Sequence, residues 1–451
     1  MRMKQLKRIC VTIIAVTLLL PSLAFADGKT ADMDSAANTS AADFRSQLDQ
    51  LLSEHFVLAV TYMMKAYEDA PDADEVYEKL DQNAQDMTPA IASVYGEEAA
   101  STFEEIFRGH NDYSDNFVKA AKNGDQEARK MAEQEVKEFV NEFGGFLAKA
   151  TDGNLSEKTA KNVLQAHEQD VVNTFDHYVN EEYQKAYESF RTGFHRMFDI
   201  SKALSTAITK QMPQEFNQTM ANAPSADLRS SLNALASEHF ALATLEMQKG
   251  YNQAQDYDFV TWAENQHTDE FKSAIKNLYG EEAASMFEKV WQQDHINAQT
   301  NIVTATLEED QEARKKAEES LKMFANNFGA FLAKATDGNM PENAATEAIW
   351  MHEEDILETY DHYVSGDYEK TYNSFREGYG FMFGIGENLG SAIVTQMPDK
   401  FEAEAMPNKM PDTGMGGASA QPHSMSTLLW ITFWLLALGS ASFLYRRKSL
   451  Q

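Results

Sequence analysis

Six histidines recur at matched positions in two stretches of the chain, and they are the residues best suited to chemistry. His55, His110 and His167 each lie on the apolar stripe of a helical pattern. Three inward-facing imidazoles on different helices of a bundle can converge and bind a transition metal or haem. Their counterparts, 184 or 185 positions later, are His239, His295 and His352.

Carboxylates and thioethers recur beside these histidines and could supply further ligands. An alternative is that the histidines only pack in the core, hydrogen-bonded to a tyrosine or a carboxylate, since a duplication preserves packing residues too. The sequence contains no H-E-x-x-H motif, no paired E-x-x-H and no cysteine ligand set, so both interpretations stay open. The recurring neighbours are Glu54 with Glu238, Glu168 with Glu353, Met63 with Met247 and Met197 with Met382, and the second stretch adds His267 and Glu270 where the first has Asn83 and Asp86.

One extra residue precedes His295. The spacing between the stretches changes from 184 to 185 between Ser101 and His110, inside a helical pattern. A helix usually absorbs a single inserted residue as a π-bulge, and such bulges are frequent at functional sites. We therefore predict a π-bulge between Ser285 and Asn301.

The sequence predicts that these histidines lie on helices. Apolar residues recur at three- and four-residue steps without strand-like alternation, and good helix formers abound. The sequence predicts an all-α fold of two tandem helical-bundle repeats, with about six helices in each repeat. The expected helix breaks in the first repeat are Pro71, Thr88-Pro89, Gly96, Gly124-Asp125 and Asp152-Gly153-Asn154.

The repeat boundaries follow from blocks that return in the same order. YGEEAAS at 95–101 recurs at 279–285, and FLAKATDGN at 146–154 recurs at 331–339. We expect a disordered segment at 27–42, then helical repeat 1 at 43–212, a linker at 213–225 and helical repeat 2 at 226–400.

The amino-terminal segment has the pattern of a secretory signal peptide. Basic residues precede an apolar stretch from Ile9 to Leu20, and Ala24-Phe25-Ala26 supplies small residues for cleavage. We predict a signal peptide at 1–26. Cys10 is the only cysteine and would leave with it, so the exported chain would have no thiol chemistry.

The carboxyl-terminal segment combines a short stalk at 401–426, an apolar run at 427–445 and a basic tail at 446–451. An apolar helix of this length, about 28 Å at ~1.5 Å per residue, can span a bilayer. The basic tail would stay on the cytoplasmic side, so everything before residue 427 would lie outside. The stalk is short, which favours a role within the cell wall or near its inner face.

A five-residue motif in the stalk resembles the LPXTG sorting signal of Gram-positive surface proteins, with Met in place of Leu. The resemblance implies that a sortase cuts between Thr413 and Gly414 and joins the chain to peptidoglycan. The partners would then be sortase and peptidoglycan, and the location would be the Gram-positive cell wall, outside the membrane. The motif consists of Met410, Pro411, Asp412, Thr413 and Gly414.

The charge excludes whole classes of partner. The formal net charge is −31, and the two processed ends carry only basic residues, so the mature chain is more acidic still. Nucleic acid needs a basic face on its partner, so it is not expected here. Contact with the membrane is expected only through the signal peptide and the apolar carboxyl-terminal helix.

The repeats also resemble helical repeats of secreted Bacillota proteins that sometimes carry a copper amine oxidase label, on blocks such as YGEEA. That oxidase cofactor forms from a tyrosine in Asn-Tyr-Asp/Glu, and this triplet does not occur here, so the activity is not carried over. G-x-S-x-G and P-loop motifs are absent too, and we assign no catalytic residues. The sequence favours a non-enzymatic, wall-anchored surface protein, with surface metal or haem binding as the alternative.

Overall fold

The computed structural model describes residues 36–402, apart from the side chains of 293 and 294. Over this range the chain is 85% helical, with 13 helices and no strands, which confirms the predicted all-α class. The first half contains α1 (Ser40–Tyr67), α2 (Ala73–Tyr95), α3 (Glu97–Asn123), α4 (Gln126–Ala150), α5 (Glu157–Val179) and α6 (Tyr183–Gln211). The second half contains α7 (Pro224–Tyr251), α8 (Tyr257–Tyr279), α9 (Glu281–Val290), α10 (Asn297–Leu307), α11 (Gln311–Ala335), α12 (Glu342–Ser365) and α13 (Tyr368–Gln396), with a π-helical turn (Trp291–Ile296) between α9 and α10 and a short 3₁₀ turn (Pro398–Lys400) after α13.

Local sequence sets most helix ends. Asp125 and Asp310 cap α4 and α11, each accepting hydrogen bonds from two backbone N–H groups of the first turn. Gly96 and Gly280, at φ of 82° and 88°, separate α2 from α3 and α8 from α9 in a conformation that side chains disfavour.

The break predicted at Thr88-Pro89 is wrong, because Pro89 lies inside α2. Proline removes one backbone hydrogen bond and would end many helices. Here Met87 and Ala90 are buried on either side of it and hold the helix against its neighbours. Tertiary packing outweighs the local preference at this position.

Helices α1 and α7 form the centre of the molecule. Both are buried around most of their circumference and they contact each other, so one core includes residues of both halves. The segment predicted as a linker also packs on this core: Phe216 is 7% exposed, and Arg45 donates a hydrogen bond to the Ala221 carbonyl. Every described helix belongs to one compact unit.

Buried ion pairs join the two halves in a reciprocal pattern. Arg376 on α13 donates two hydrogen bonds to Glu54 on α1, at 3.0 and 2.9 Å. Arg191 on α6 contacts Glu238 on α7 in the same way, at 2.9 and 3.2 Å. Glu54 and Glu238 directly precede His55 and His239 in the sequence. The ion pairs therefore hold α1 and α7 against the outer helices next to the histidines.

Close packing against α1 and α7 also depends on two glycines. A Cβ atom added at Gly193 on α6 would lie 2.3 Å from the Phe56 ring, and one at Gly378 on α13 would lie 2.3 Å from the Phe240 ring. No side chain fits at these distances, so the glycines allow α6 and α13 to pack closely against the Phe56 and Phe240 rings.

Within the described range, no helix has the length and apolar character needed to cross a bilayer. The predicted signal peptide, the sorting motif at Met410–Gly414, the apolar run at 427–445 and the basic tail at 446–451 all lie outside that range.

Replacing Asp49 with Asn is expected to stabilise the protein at neutral pH. Asp49 is fully buried on α1, and burial raises its pKa from 3.8 to about 6 although Arg45 opposes the shift. Because the folded-state pKa exceeds the unfolded value, the wild type loses stability as pH rises through this window. We expect a gain of about 1–3 kcal/mol above pH 6 that disappears below pH ~4, measured by urea unfolding across pH.

The second half supplies the matched control, since Asn233 occupies the equivalent position on α7 and donates to Ser46 Oγ at 3.0 Å. Asn233→Asp should destabilise the protein at neutral pH. A gain for Asp49→Asn that is the same at pH 3.5 and pH 7.5 would contradict the assignment to a buried charge.

Candidate metal centres

The structure brings the first three predicted histidines together in the core of the first half. His55 comes from α1, His110 from α3 and His167 from α5, and their exposed fractions are 2%, 6% and 4%. The ring centroid of His55 lies 4.9 Å from that of His110 and 5.8 Å from that of His167. One nitrogen from each ring falls within 4.8 Å of the other two, which is close enough for a shared ion. We call this group the first trio.

The second trio repeats the arrangement in the other half. His239 comes from α7, His295 from the π-helical turn and His352 from α12, and none is more than 2% exposed. The centroid of His239 lies 4.8 Å from that of His295 and 5.3 Å from that of His352. Their ligand nitrogens also lie within 4.8 Å of one another.

The π-bulge predicted between Ser285 and Asn301 is confirmed as the turn Trp291–Ile296. The wider turn takes up the extra residue and keeps His295 on the face that points to α7 and α12. His295 stacks on Phe324 at 4.2 Å between centroids, as His110 stacks on Phe139 at 4.4 Å without a bulge. The insertion therefore changes the backbone but preserves the position of the imidazole.

A buried glutamate lies beside each trio. Glu168 Oε1 is 3.8 Å from His110 Nε2 and 3.9 Å from His167 Nε2. Glu353 Oε1 is 3.0 Å from His295 Nε2 and 3.9 Å from His352 Nε2. Burial raises the pKa of Glu168 to about 8 and also raises that of Glu353. Each centre therefore offers three imidazoles and one carboxyl group.

Burial keeps the imidazoles in the neutral form that binds metals. It lowers the pKa of His110 to about 4 and that of His167 to about 3. The pKa values of His295 and His352 fall to about 3 for the same reason. Burial, reinforced by the neighbouring imidazoles, places the pKa of His55 well below its usual value. A metal ion would not have to displace protons from these rings, since a neutral imidazole carries one unprotonated nitrogen.

Several polar atoms of the two trios have no hydrogen-bond partner among the described residues. In the first centre these are Nδ1 of His55 and His167 and Oε1 of Glu168. Unpaired buried groups of this kind are rare in native proteins and call for an explanation such as an ion. The second centre has more of them: His239 Nε2, His295 Nδ1, both nitrogens of His352 and Glu353 Oε2.

The second centre has two further polar side chains that sequence reasoning did not group together. Glu264 and His267, on α8, form a third candidate ligand group with His239. Glu264 Oε1 lies 2.7 Å from His239 Nδ1 and 3.9 Å from His267 Nδ1. Leu80 and Asn83 occupy the matched positions in the first half, and that exchange of Leu for Glu was the available signal.

The two centres also differ in their apolar surroundings. A cavity of about 60 Å³ adjoins the first trio and is lined almost wholly by apolar atoms, including those of Met87, Phe107 and Met197. At the positions matched to Met87 and Phe107, the second half has Phe271 and Trp291, whose larger rings pack together at 5.3 Å. The second centre is correspondingly more tightly filled at this point.

Three other polar residues lie outside the two trios. Glu270, expected beside His267, instead lies at the boundary between the halves, where its Oε2 is 2.8 Å from Arg191 and 3.6 Å from His195. His195 Nε2 lies 3.2 Å from Glu238 Oε2, and its side chain is 38% exposed. His177 is a half-buried residue near the end of α5, with Nδ1 2.9 Å from Glu182, and is not part of a trio.

Comparison with known proteins does not assign the site. No protein-family profile matches the chain, no curated protein matches it, and no solved structure matches it. Function is therefore argued from the chemistry of the two histidine trios and from the order of the sequence signals, and the chain is placed in no family.

Proposed function

We propose that each half of this protein binds a divalent transition-metal ion at its histidine trio. The observation that carries the proposal is that three buried imidazoles from three different helices converge twice, each time beside a buried glutamate. Neutral imidazole and carboxylate suit Zn, Cu, Fe and Ni. Bundle interiors are also where helical proteins build such sites.

The alternative of core packing alone explains less. A histidine that serves only as a packed core residue normally pairs its ring nitrogens, because each unpaired buried polar group costs about 1–3 kcal/mol. In the described part of the chain His352 pairs neither nitrogen, and His55 leaves Nδ1 unpaired. A bound ion would pair one nitrogen of each of these rings.

A metal ion suits the centres better than haem. Pockets for organic ligands usually enclose roughly 300–1,000 Å³. The cavity at the first trio is about 60 Å³, and the imidazoles of the second trio lie against the Trp291 and Phe324 rings. An ion needs only the space between the nitrogens.

Metal content tests the proposal. Residues 27–404 contain every described helix and exclude the predicted signal peptide. After equilibrium dialysis against Zn²⁺ or Cu²⁺, we expect at least two bound ions per chain by elemental analysis. His167→Phe and His352→Phe together should remove the ion from each trio. His177→Ala is the matched control on α5 and should leave the content unchanged. A wild-type protein that binds no ion would refute the proposal.

We propose further that the protein is built from two copies of one helical bundle. The bounds of α1 and α7 differ by 184 positions at both ends, and those of α4 and α11 differ by 185 at both ends. The trios, their glutamates and the reciprocal ion pairs follow the same spacing, which supports duplication of a metal-binding unit.

For its location, we propose that the protein is exported and attached to peptidoglycan by sortase at Thr413, after which the carboxyl-terminal apolar helix is discarded. The support is the order of signal peptide, Met-Pro-Asp-Thr-Gly motif, apolar run and basic tail. Thr413→Ala should move the protein from the covalent wall fraction to the membrane or medium. Met410→Leu, which supplies the usual first residue of the motif, should leave anchoring intact. Wall-bound protein in the Thr413→Ala strain would contradict the proposal.

A further inference from the structure

The second half contains a second group of potential ligands beside its trio. His239, Glu264 and His267 are all buried, with exposed fractions of 1%, 2% and 0%. Their ligand atoms lie within 4.8 Å of one another, and His239 is shared with the second trio. Leu80 stands at the position of Glu264 in the first half and offers no ligand atom.

The two nitrogens of His239 serve the two groups separately. Nδ1 lies 2.7 Å from Glu264 Oε1, and Nε2 has no hydrogen-bond partner among the residues described. On His267, Nε2 donates to the Leu235 carbonyl at 2.8 Å, which leaves the lone pair of Nδ1 directed into the site without a partner. Glu264 Oε2 is also buried and unpaired. Both groups therefore have unused ligand atoms.

We propose that the second half holds two metal ions, with the His239 ring as a bridge between them. This inference rests on the proposed function of the trios. One ion binds to His239 Nε2 with His295 and His352, near Glu353. The other binds to His239 Nδ1 with Glu264 and His267 Nδ1. With a metal on each nitrogen, His239 releases its ring proton to solvent and becomes an imidazolate.

Charge favours the pair. A buried divalent ion needs nearby negative charge to offset its lost hydration. Across the two sites, the Glu264 and Glu353 carboxylates and the shared imidazolate of His239 together supply three negative charges for four positive ones. If Glu264 acted only to orient His239, as a carboxylate commonly does for a metal-bound histidine, the unpaired Nδ1 of His267 and Oε2 of Glu264 would have no role.

The matched residues of the first half provide the test. On residues 27–404 loaded with Cu²⁺, we expect three ions per wild-type chain. The Glu264→Leu/His267→Asn variant should bind two ions, because these changes introduce the residues that the first half has at the matched positions. The converse change, Leu80→Glu with Asn83→His, should bind four. His177→Ala should still bind three. Circular dichroism will show that each variant is folded.

A spectroscopic readout separates an ion pair from independent sites. Two Cu²⁺ ions bridged by an imidazolate couple magnetically, so the integrated electron paramagnetic resonance signal should fall below the copper content in the wild type. The signal should match the copper content in the Glu264→Leu/His267→Asn variant. Two ions per wild-type chain, with an uncoupled signal, would overturn the bridged pair and leave the trios intact. Binding of no ions at all would remove the proposed function itself.

Discussion

Replacing Arg376 with Met is expected to destabilise the protein by about 3–5 kcal/mol, the typical effect of breaking a buried ion pair. Arg376 donates two hydrogen bonds to Glu54, whose side chain is 2% exposed. Without the guanidinium, the Glu54 carboxylate stays buried, and among the described residues only the Asn83 amide, at 2.6 Å, still donates to it. Because the pair joins α13 to α1, the loss should appear in global unfolding, measured as the free energy of unfolding in urea.

Two further variants test whether the loss of stability comes from the buried ion pair. Lys370→Met, also on α13, removes an exposed pair with Asp367 and should change stability by less than about 0.5 kcal/mol. Glu54→Leu combined with Arg376→Met removes both charges and should recover most of the loss. If the single Arg376→Met variant were as stable as Lys370→Met, the ion pair would not hold the two halves together.

Adding metal is expected to raise the unfolding temperature of the wild-type protein by about 5 °C for each occupied trio. An ion that binds only the folded state stabilises it by about 4 kcal/mol when its free concentration is 1,000-fold above the Kd. For a unit of this size, that energy corresponds to about 5 °C. Calorimetry with and without a chelator measures the shift.

The histidine variants separate binding from packing. His352→Phe should lower the metal-free unfolding temperature only slightly, since an aromatic ring fills most of the space and no unpaired nitrogen remains. It should, however, lose the metal-induced shift contributed by the second half. His362→Ala, a change on the same helix but outside the trio, should keep the full shift. An equal metal-induced shift in His352→Phe and the wild type would contradict binding at the second trio.

Periodicity was enough to predict the helices and the histidines that face inward. His55, His110 and His167 lie on apolar stripes, and side chains on such stripes point into a bundle core. The one-residue change in spacing before His295 was sufficient to predict the π-helical turn Trp291–Ile296. Pro89 shows the limit of local rules, because contacts of Met87 and Ala90 with distant helices keep α2 continuous through the proline.

Spacing along the chain was sufficient to predict the helical class, the inward face of each helix and the pairing of residues between the two stretches. It did not show that the halves share one core, that Arg376 meets Glu54 or that Glu264 reaches His239. Those contacts join residues from different helices, and their formation depends on how the helices are rotated and how closely they approach. Gly193 and Gly378 set part of that approach, through atomic distances that no periodic pattern encodes.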